Sequence, residues 1–139
     1  MSDANPFDLT GKTAIVTGTS RGLGQCLARA LARAGADLVL TSRRAEALEP
    51  FRREIEALGR RAVPLELDVR DHDSIRRMAE AAETACGRID ILVNNAGIGG
   101  SRKVVAMTAE EWDHMMDTNV RSVFLASRAV GKVMIRQRS

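Results

Sequence analysis

The sequence predicts an α/β fold: a doubly wound parallel sheet with helices on both faces. Three observations carry that prediction. Four short apolar runs, rich in β-branched residues, alternate with longer stretches whose apolar residues recur at helical spacing. Gly35, Gly59 and Gly87 each close one of the helical stretches, as expected just past a helix end. The segment Thr17-Gly18-Thr19-Ser20-Arg21-Gly22-Leu23-Gly24 puts three glycines into the turn between the first run and the first helix.

Residues 12–17 read as a buried first strand, and 23–34, rich in Leu and Ala with no proline, as the first helix. The second strand is expected over 36–41 and the second helix over about 45–58. Residues 62–67 read as a third strand. Pro64 assigns it to a sheet edge, because proline has no N–H to give to a ladder. Asp71 caps a helix that runs to about residue 85. The fourth run, 89–93, is the most apolar and is expected at the centre of the sheet. Thr108-Ala109-Glu110-Glu111 is a capping box. The last helix therefore starts near Ala109 and runs toward Arg136, with a bend near Asn119.

At 139 residues and 45% hydrophobic content the chain fits one domain with a real core. Its net charge of +3 comes from scattered Arg and Lys, and three Phe and one Trp make no stacking platform. Nucleic-acid binding is not expected. No run of about 18 apolar residues indicates a membrane span, and the polar residues 1–6 lack the regions of a signal peptide. Cys26 and Cys86, each in a predicted helix, read as buried thiols in a reducing, cytoplasmic setting. His72 and His114 have no clustered partners, so no metal site is expected.

Ligands of an open parallel sheet sit at the carboxyl ends of its strands, and four features fall there. The glycine turn opens a helix, whose unpaired N–H groups and dipole favour a phosphate. Its Gly-x-x-x-Gly-x-Gly spacing differs from the commoner Gly-x-Gly-x-x-Gly. Ser42-Arg43-Arg44 stands about twenty residues further on, where an acid would hold a ribose 2′-hydroxyl. Arginine there suits a 2′-phosphate, favouring NADP(H) over NAD(H), and Arg21 adds a second positive charge. Asp68-Val69 follows the third strand, where an Asp either bonds an adenine amino group or caps a turn. Asn94-Asn95-Ala96-Gly97 follows the fourth, supplying amides for hydrogen bonds and small residues for a close approach.

Together, Thr17-Gly18-x-x-x-Gly22-x-Gly24, Asp68-Val69, Asn94-Asn95-Ala96-Gly97 and Asn119 resemble the short-chain dehydrogenase/reductase family, across about residues 9–139. The resemblance implies a Rossmann-type sheet and an oxidoreductase that interconverts a carbonyl and a secondary alcohol. Small 3-oxoacyl, sugar-acid or polyol substrates and a homo-oligomeric state are implied with it. Gly18, Ser20, Arg21, Gly22, Leu23 and Gly24 would cradle the cofactor phosphates. Arg43, with Ser42 or Arg44, would meet the 2′-phosphate. Asp68 and Val69 would flank the adenine, and Asn95, Ala96 and Gly97 would line the ribose side. Asn119 matches the family's catalytic-site Asn, whose local backbone holds a water of the proton relay.

The family's chemistry also needs a Tyr as general acid/base, a Lys four residues after it and a preceding Ser. This chain has no tyrosine, and Lys132 and Ser139 do not match those positions. A general acid contributes typically ~10²–10⁴-fold, so the chain as written is expected to be inactive. It reads as the cofactor half of an oxidoreductase, truncated before the catalytic segment. Its fourth strand is then expected to be an uncovered apolar edge that recruits other chains. Two alternatives of other kinds stay open: a non-catalytic dinucleotide-binding or interaction module, and a gene fragment without function of its own.

Overall fold

The computed structural model describes residues 5–138; residues 1–4 and Ser139, including most of the polar N-terminal segment, lie outside the described residues. Four parallel strands, β1 (Thr13–Val16), β2 (Asp37–Ser42), β3 (Ala62–Glu66) and β4 (Ile91–Val93), lie in the order β3-β2-β1-β4. Five α-helices punctuate them: α1 (Leu23–Arg33), α2 (Glu49–Ala57), α3 (His72–Cys86), α4 (Ala109–Met116) and α5 (Ser122–Gln137). Val16 is in register with both Leu40 and Val93, so the carboxyl ends of the strands finish together along one rim.

The strands are apolar on both faces because each face is covered. Ile15 and Val39 point to one side and pack with Ile75, Met78 and Ala82 of α3 and Leu125, Ala126 and Val130 of α5. Ala14, Val16, Leu38 and Leu40 point to the other, against Ala28 and Ala32 of α1 and Phe51 and Ile55 of α2. The alternation of neighbours along one strand is the pleat itself. Small Ala28 and Ala32 let α1 lie close to β1, which carries the glycine turn onto the rim.

Four local expectations change. The segment 89–93 lies not at the centre but at an edge of the four-stranded sheet, the uncovered apolar edge expected of a chain without a fifth strand, and the three residues of β4 are half-buried. Its apolar character reflects packing on two faces, Leu92 on one and Ile91 and Val93 on the other, rather than rank within the sheet. Pro64 does lie on an edge strand, opposite Leu40. The second helix is α-helical only from Glu49, and Ala45–Leu48 wind as a 3₁₀ turn. Pro50 explains the boundary, since a proline without N–H is tolerated only in the first turn of an α-helix. Cys26 is exposed rather than buried, and Cys86 is half-buried, its thiol pushed up by burial.

The bend expected near Asn119 is a π-helical turn, Asp117–Arg121, between α4 and α5. Thr118 Oγ1 donates to the His114 carbonyl (2.8 Å) and Ser122 Oγ to the Thr118 carbonyl (2.5 Å). Hydroxyls that bond back along a helix in this way loosen its ladder and admit the wider turn. The helix starts follow the sequence: Asp71 accepts from Asp73 N, and Thr108 and Glu111 form the reciprocal capping box. Among the described residues no helix is long and apolar enough to cross a membrane, and no group of three or more His, Cys, Asp or Glu could hold a metal ion.

Candidate functional site

The common rim of strand ends encloses a cavity of about 730 Å³. β1 leads to β2 on one side while β4 lies on the other, so the cavity sits where the strand order reverses, the usual ligand position in such sheets. Three elements meet there by construction: the turn after β1, the end of β2 and the segment after β4.

The turn can take its course only with glycine. Gly18 has φ +72° and presses on Ala96, whose Cα would lie 3.0 Å from any added Cβ. Gly24 leaves no room at all, since a Cβ there would meet the Gly18 carbonyl oxygen at 2.2 Å. Gly22 is the N-cap of α1 and gives it no side-chain cap, unlike the caps of α3 and α4. The first N–H groups of α1 are therefore left to a ligand on the rim.

The segment after β4 is tied to the same turn. Thr17 Oγ1 accepts from the N–H groups of Asn95 and Ala96, both at 2.9 Å, and Asn95 Nδ2 donates to the carbonyls of Thr17 (2.9 Å) and Gly18 (3.1 Å). Asn95, Ala96 and Gly97 thus border the cavity as a preset wall. Ser20, Arg21, Gly22 and Leu23 line it from the turn, Ser42 and Arg43 from β2, and Asp68 and Val69 from the loop after β3.

The electrostatics favour an anion. Arg21 and Arg43 are exposed at the cavity and, among the described residues, neither forms an ion pair or hydrogen bond. By contrast Arg29 pairs with Glu54, Arg52 with Glu49 and Glu56, and Arg76 with Glu80. Asp68 is partly committed inside the protein: its Oδ1 accepts from Arg70 N at 3.0 Å and lies 3.8 Å from the Arg70 guanidinium.

Two expected residues stand outside the cavity lining. Arg44 is exposed beyond it, because Ser42 Oγ accepts from Arg44 N (3.2 Å) and donates to its carbonyl (2.5 Å), a tight turn that leaves Arg43 as the inward arginine. Asn119 spends its whole amide on one residue, accepting from Ile98 N (2.8 Å) and donating to the Ile98 carbonyl (2.7 Å). It braces the wall beside Gly97 instead of facing the cavity.

Sequence reasoning missed six lining residues: Thr41, Leu67, Arg70, Ile98, His114 and Thr118. His114 and Thr118 share a helix face four residues apart, but only the tertiary fold brings that face over the rim. There Arg70 Nη1 lies 3.1 Å from His114 Nδ1. A guanidinium can only donate, so this contact sets the Arg70 side chain against the ring of His114 at the edge of the cavity.

With this geometry established, residues 12–139 match the short chain dehydrogenase family. Gluconate 5-dehydrogenase of Gluconobacter oxydans is 43% identical over 135 residues, 97% of this chain and 53% of that protein. A 3-oxoacyl-[acyl-carrier-protein] reductase of Synechocystis is 36% identical over 132 residues, 94% of this chain and 53% of that protein. The chain spans about half the length of the curated relatives it matches. Among solved structures, a short-chain dehydrogenase/reductase of Mycobacterium marinum superposes with a TM-score of 0.90 at 40% identity, covering 94% of this chain and 52% of that one. A metagenomic short-chain oxidoreductase in complex with NADP superposes at 0.86 with 39% identity, covering 94% and 60%. The motif series, the cavity at the strand reversal and these likenesses agree: the chain belongs to the short chain dehydrogenase family.

Proposed function

We propose that this chain forms the cofactor-binding portion of an oxidoreductase that interconverts a carbonyl and a secondary alcohol, using NADP(H) in preference to NAD(H). The observation that carries the reading is the pair of unpaired arginines, Arg21 and Arg43, at the cavity whose floor is the glycine turn. Ser42-Arg43-Arg44 contains no acid, so nothing there repels a 2′-phosphate or selects a bare ribose diol. The solved relative holding NADP supports the same choice.

The residues present fit that cofactor. The cradle of Gly18, Ser20, Arg21, Gly22, Leu23 and Gly24 offers N–H groups and one guanidinium to a diphosphate. Arg43, steadied by the Ser42 turn, meets the 2′-phosphate. Asp68 and Val69 border the adenine end, and Asn95, Ala96 and Gly97 the opposite ribose. When bound, the nicotinamide supplies or accepts hydride. Asn119 holds the backbone at Ile98, the wall beside the reacting end. The proton donor is not supplied by a tyrosine of these residues, since they include none. This chain alone is therefore proposed to bind cofactor without turning substrate over.

The relatives' activities support a sugar acid or a 3-oxoacyl thioester as the carbonyl partner of the whole protein. Val120, Val123 and Phe124, exposed on the π-helical turn and the first turn of α5, support self-association in the same reading. The test is a fluorescence titration of the chain with NADPH and, in parallel, NADH. Saturation at lower NADPH than NADH is expected; tighter binding of NADH would remove the cofactor assignment.

A further inference from the structure

Thr41, the fifth residue of β2, and Thr19, in the glycine turn, are both wholly buried, at 0% exposure. Buried hydroxyls need partners, and these two find them chiefly in each other's segments. Thr19 N and Thr19 Oγ1 both donate to the Thr41 carbonyl, at 2.9 Å and 3.2 Å. In return Thr41 N donates to Thr19 Oγ1 at 3.0 Å. Thr41 Oγ1 donates to the Val16 carbonyl at 3.2 Å and accepts from Gly18 N at 3.3 Å. These five bonds prolong the β1–β2 pairing past the point where β1 ends.

What the clasp joins matters more than the clasp itself. On one side Thr19 leads directly into Ser20-Arg21-Gly22, the cradle at the N-terminus of α1. On the other Thr41 leads into Ser42, whose turn around Arg44 sends Arg43 to the cavity. The two cationic points of the site are thus each two residues from a clasp member, with no flexible loop between.

We propose that Thr19 and Thr41 are a positioning pair that fixes the separation between the glycine cradle and Arg43. The pair thereby favours a dinucleotide with phosphate at both points over one with phosphate at the cradle alone. A ligand that engages both points gains from their preset spacing, whereas a ligand that engages one does not. The inference rests on the proposed function and adds to it a pair of wholly buried residues, one of them at the cavity lining, that set the selectivity by holding the contacting groups in place.

The experiment compares NADPH and NADH affinities in the unchanged chain and in Thr41→Val, Thr41→Ser, Thr19→Val and Asp90→Asn. Thr41→Val keeps the shape but strips Gly18 N of its acceptor. It is expected to lower NADPH affinity about tenfold while NADH changes less than about twofold. Thr41→Ser, which keeps the hydroxyl, restores the preference. Asp90→Asn weakens the far end of the sheet and leaves the ratio alone. In an Arg43→Ala background Thr41→Val has no further effect on the ratio, because the clasp acts through Arg43. If Thr41→Val fails to fold, Thr19→Val reads the same ratio with the Thr41 hydroxyl bonds to Gly18 and Val16 intact. Equal losses for both nucleotides, an unchanged ratio, or a full Thr41→Val effect in the Arg43→Ala background would each overturn the positioning role. Absence of NADPH saturation in the unchanged chain would overturn the functional reading itself, and this inference with it.

Discussion

A methyl group placed on Gly24 would stand 2.2 Å from the Gly18 carbonyl oxygen and 2.7 Å from Asn95 Nδ2. The carbonyl belongs to a turn already tied to Asn95 through its amide, so it cannot retreat alone. Gly24→Ala must push α1 away from the turn or break the Asn95 bonds. NADPH affinity is expected to fall at least about a hundredfold, about 2.7 kcal/mol. Gly22 makes the contrast: a Cβ there meets open space, and only its φ of +62° resists substitution. Gly22→Ala is therefore expected to cost about 1 kcal/mol of stability with a milder loss of affinity. Parallel titrations with urea melts of both variants check this. Equal effects would mean that the crowding at Gly24 relaxes freely.

Arg43 and Arg44 are adjacent in sequence but not in role. Arg43→Ala is expected to weaken NADPH about 10–100-fold, the range of a lost charge-assisted hydrogen bond or two, and to leave NADH within about twofold. Arg44→Ala is expected to change neither. Titrations at one low, fixed ionic strength keep screening from blurring the comparison. A larger loss from Arg44→Ala than from Arg43→Ala would reverse the assignment made from the Ser42 turn.

Much of this was legible in the sequence, for identifiable reasons. Strand and helix periodicities, caps at Asp71 and Thr108 and the edge proline Pro64 are local signals, and each strand and the first three α-helices were found within a few residues, while α4 and α5 were read as one bent helix and the 3₁₀ turn Val104–Ala106 gave no signal. Thirteen of the fourteen expected cofactor-site residues line the cavity, since each motif sits at a strand end and strand ends share a rim. Arg44 lies outside that lining because the Ser42 hydroxyl, not charge, decides which arginine turns toward the cavity. β4 takes the edge position expected of a chain without the family's fifth strand, not the central one that its apolar run suggests by itself, because such a run reports burial on two faces and not the number of neighbours in the ladder. Arg70 and His114 were invisible because their pairing spans 44 residues of chain and joins the turn after β3 to α4, which share no motif.

The two thiols should separate cleanly. Cys26 lies exposed in the first turns of α1, whereas Cys86 is half-buried at the end of α3, with its pKa raised by burial. Reactivity follows thiolate fraction and access. A disulfide-exchange reagent near neutral pH is expected to modify one thiol rapidly and the other at least about tenfold more slowly. Cys26→Ser should remove the fast phase and spare the slow one. Loss of the slow phase instead would show that Cys86 is the accessible thiol.

Asp90 links the start of β4 to the start of β1 through a carboxylate only 6% exposed. Its Oδ2 accepts from Thr13 N at 2.9 Å and from Arg88 Nε at 2.8 Å, while its backbone N–H donates to the Thr13 carbonyl at 2.9 Å. The Arg88 guanidinium, and then the Thr13 N–H, hold its carboxyl below the ordinary range against the opposing effect of burial. A carboxyl whose pKa is lower folded than unfolded stabilises the fold above the unfolded value of about 3.9 and loses that contribution as pH falls through the folded value. Asp90→Asn should thus cost about 1–2 kcal/mol near neutral pH. The deficit should shrink as the unchanged chain is acidified below about pH 4 and its own Asp90 takes up a proton. Urea melts of both proteins across that range measure the difference directly. A deficit that stays constant from neutral pH to about pH 2.5 would mean that the Asp90 charge contributes nothing, and that only its hydrogen-bonding shape holds β4 to β1.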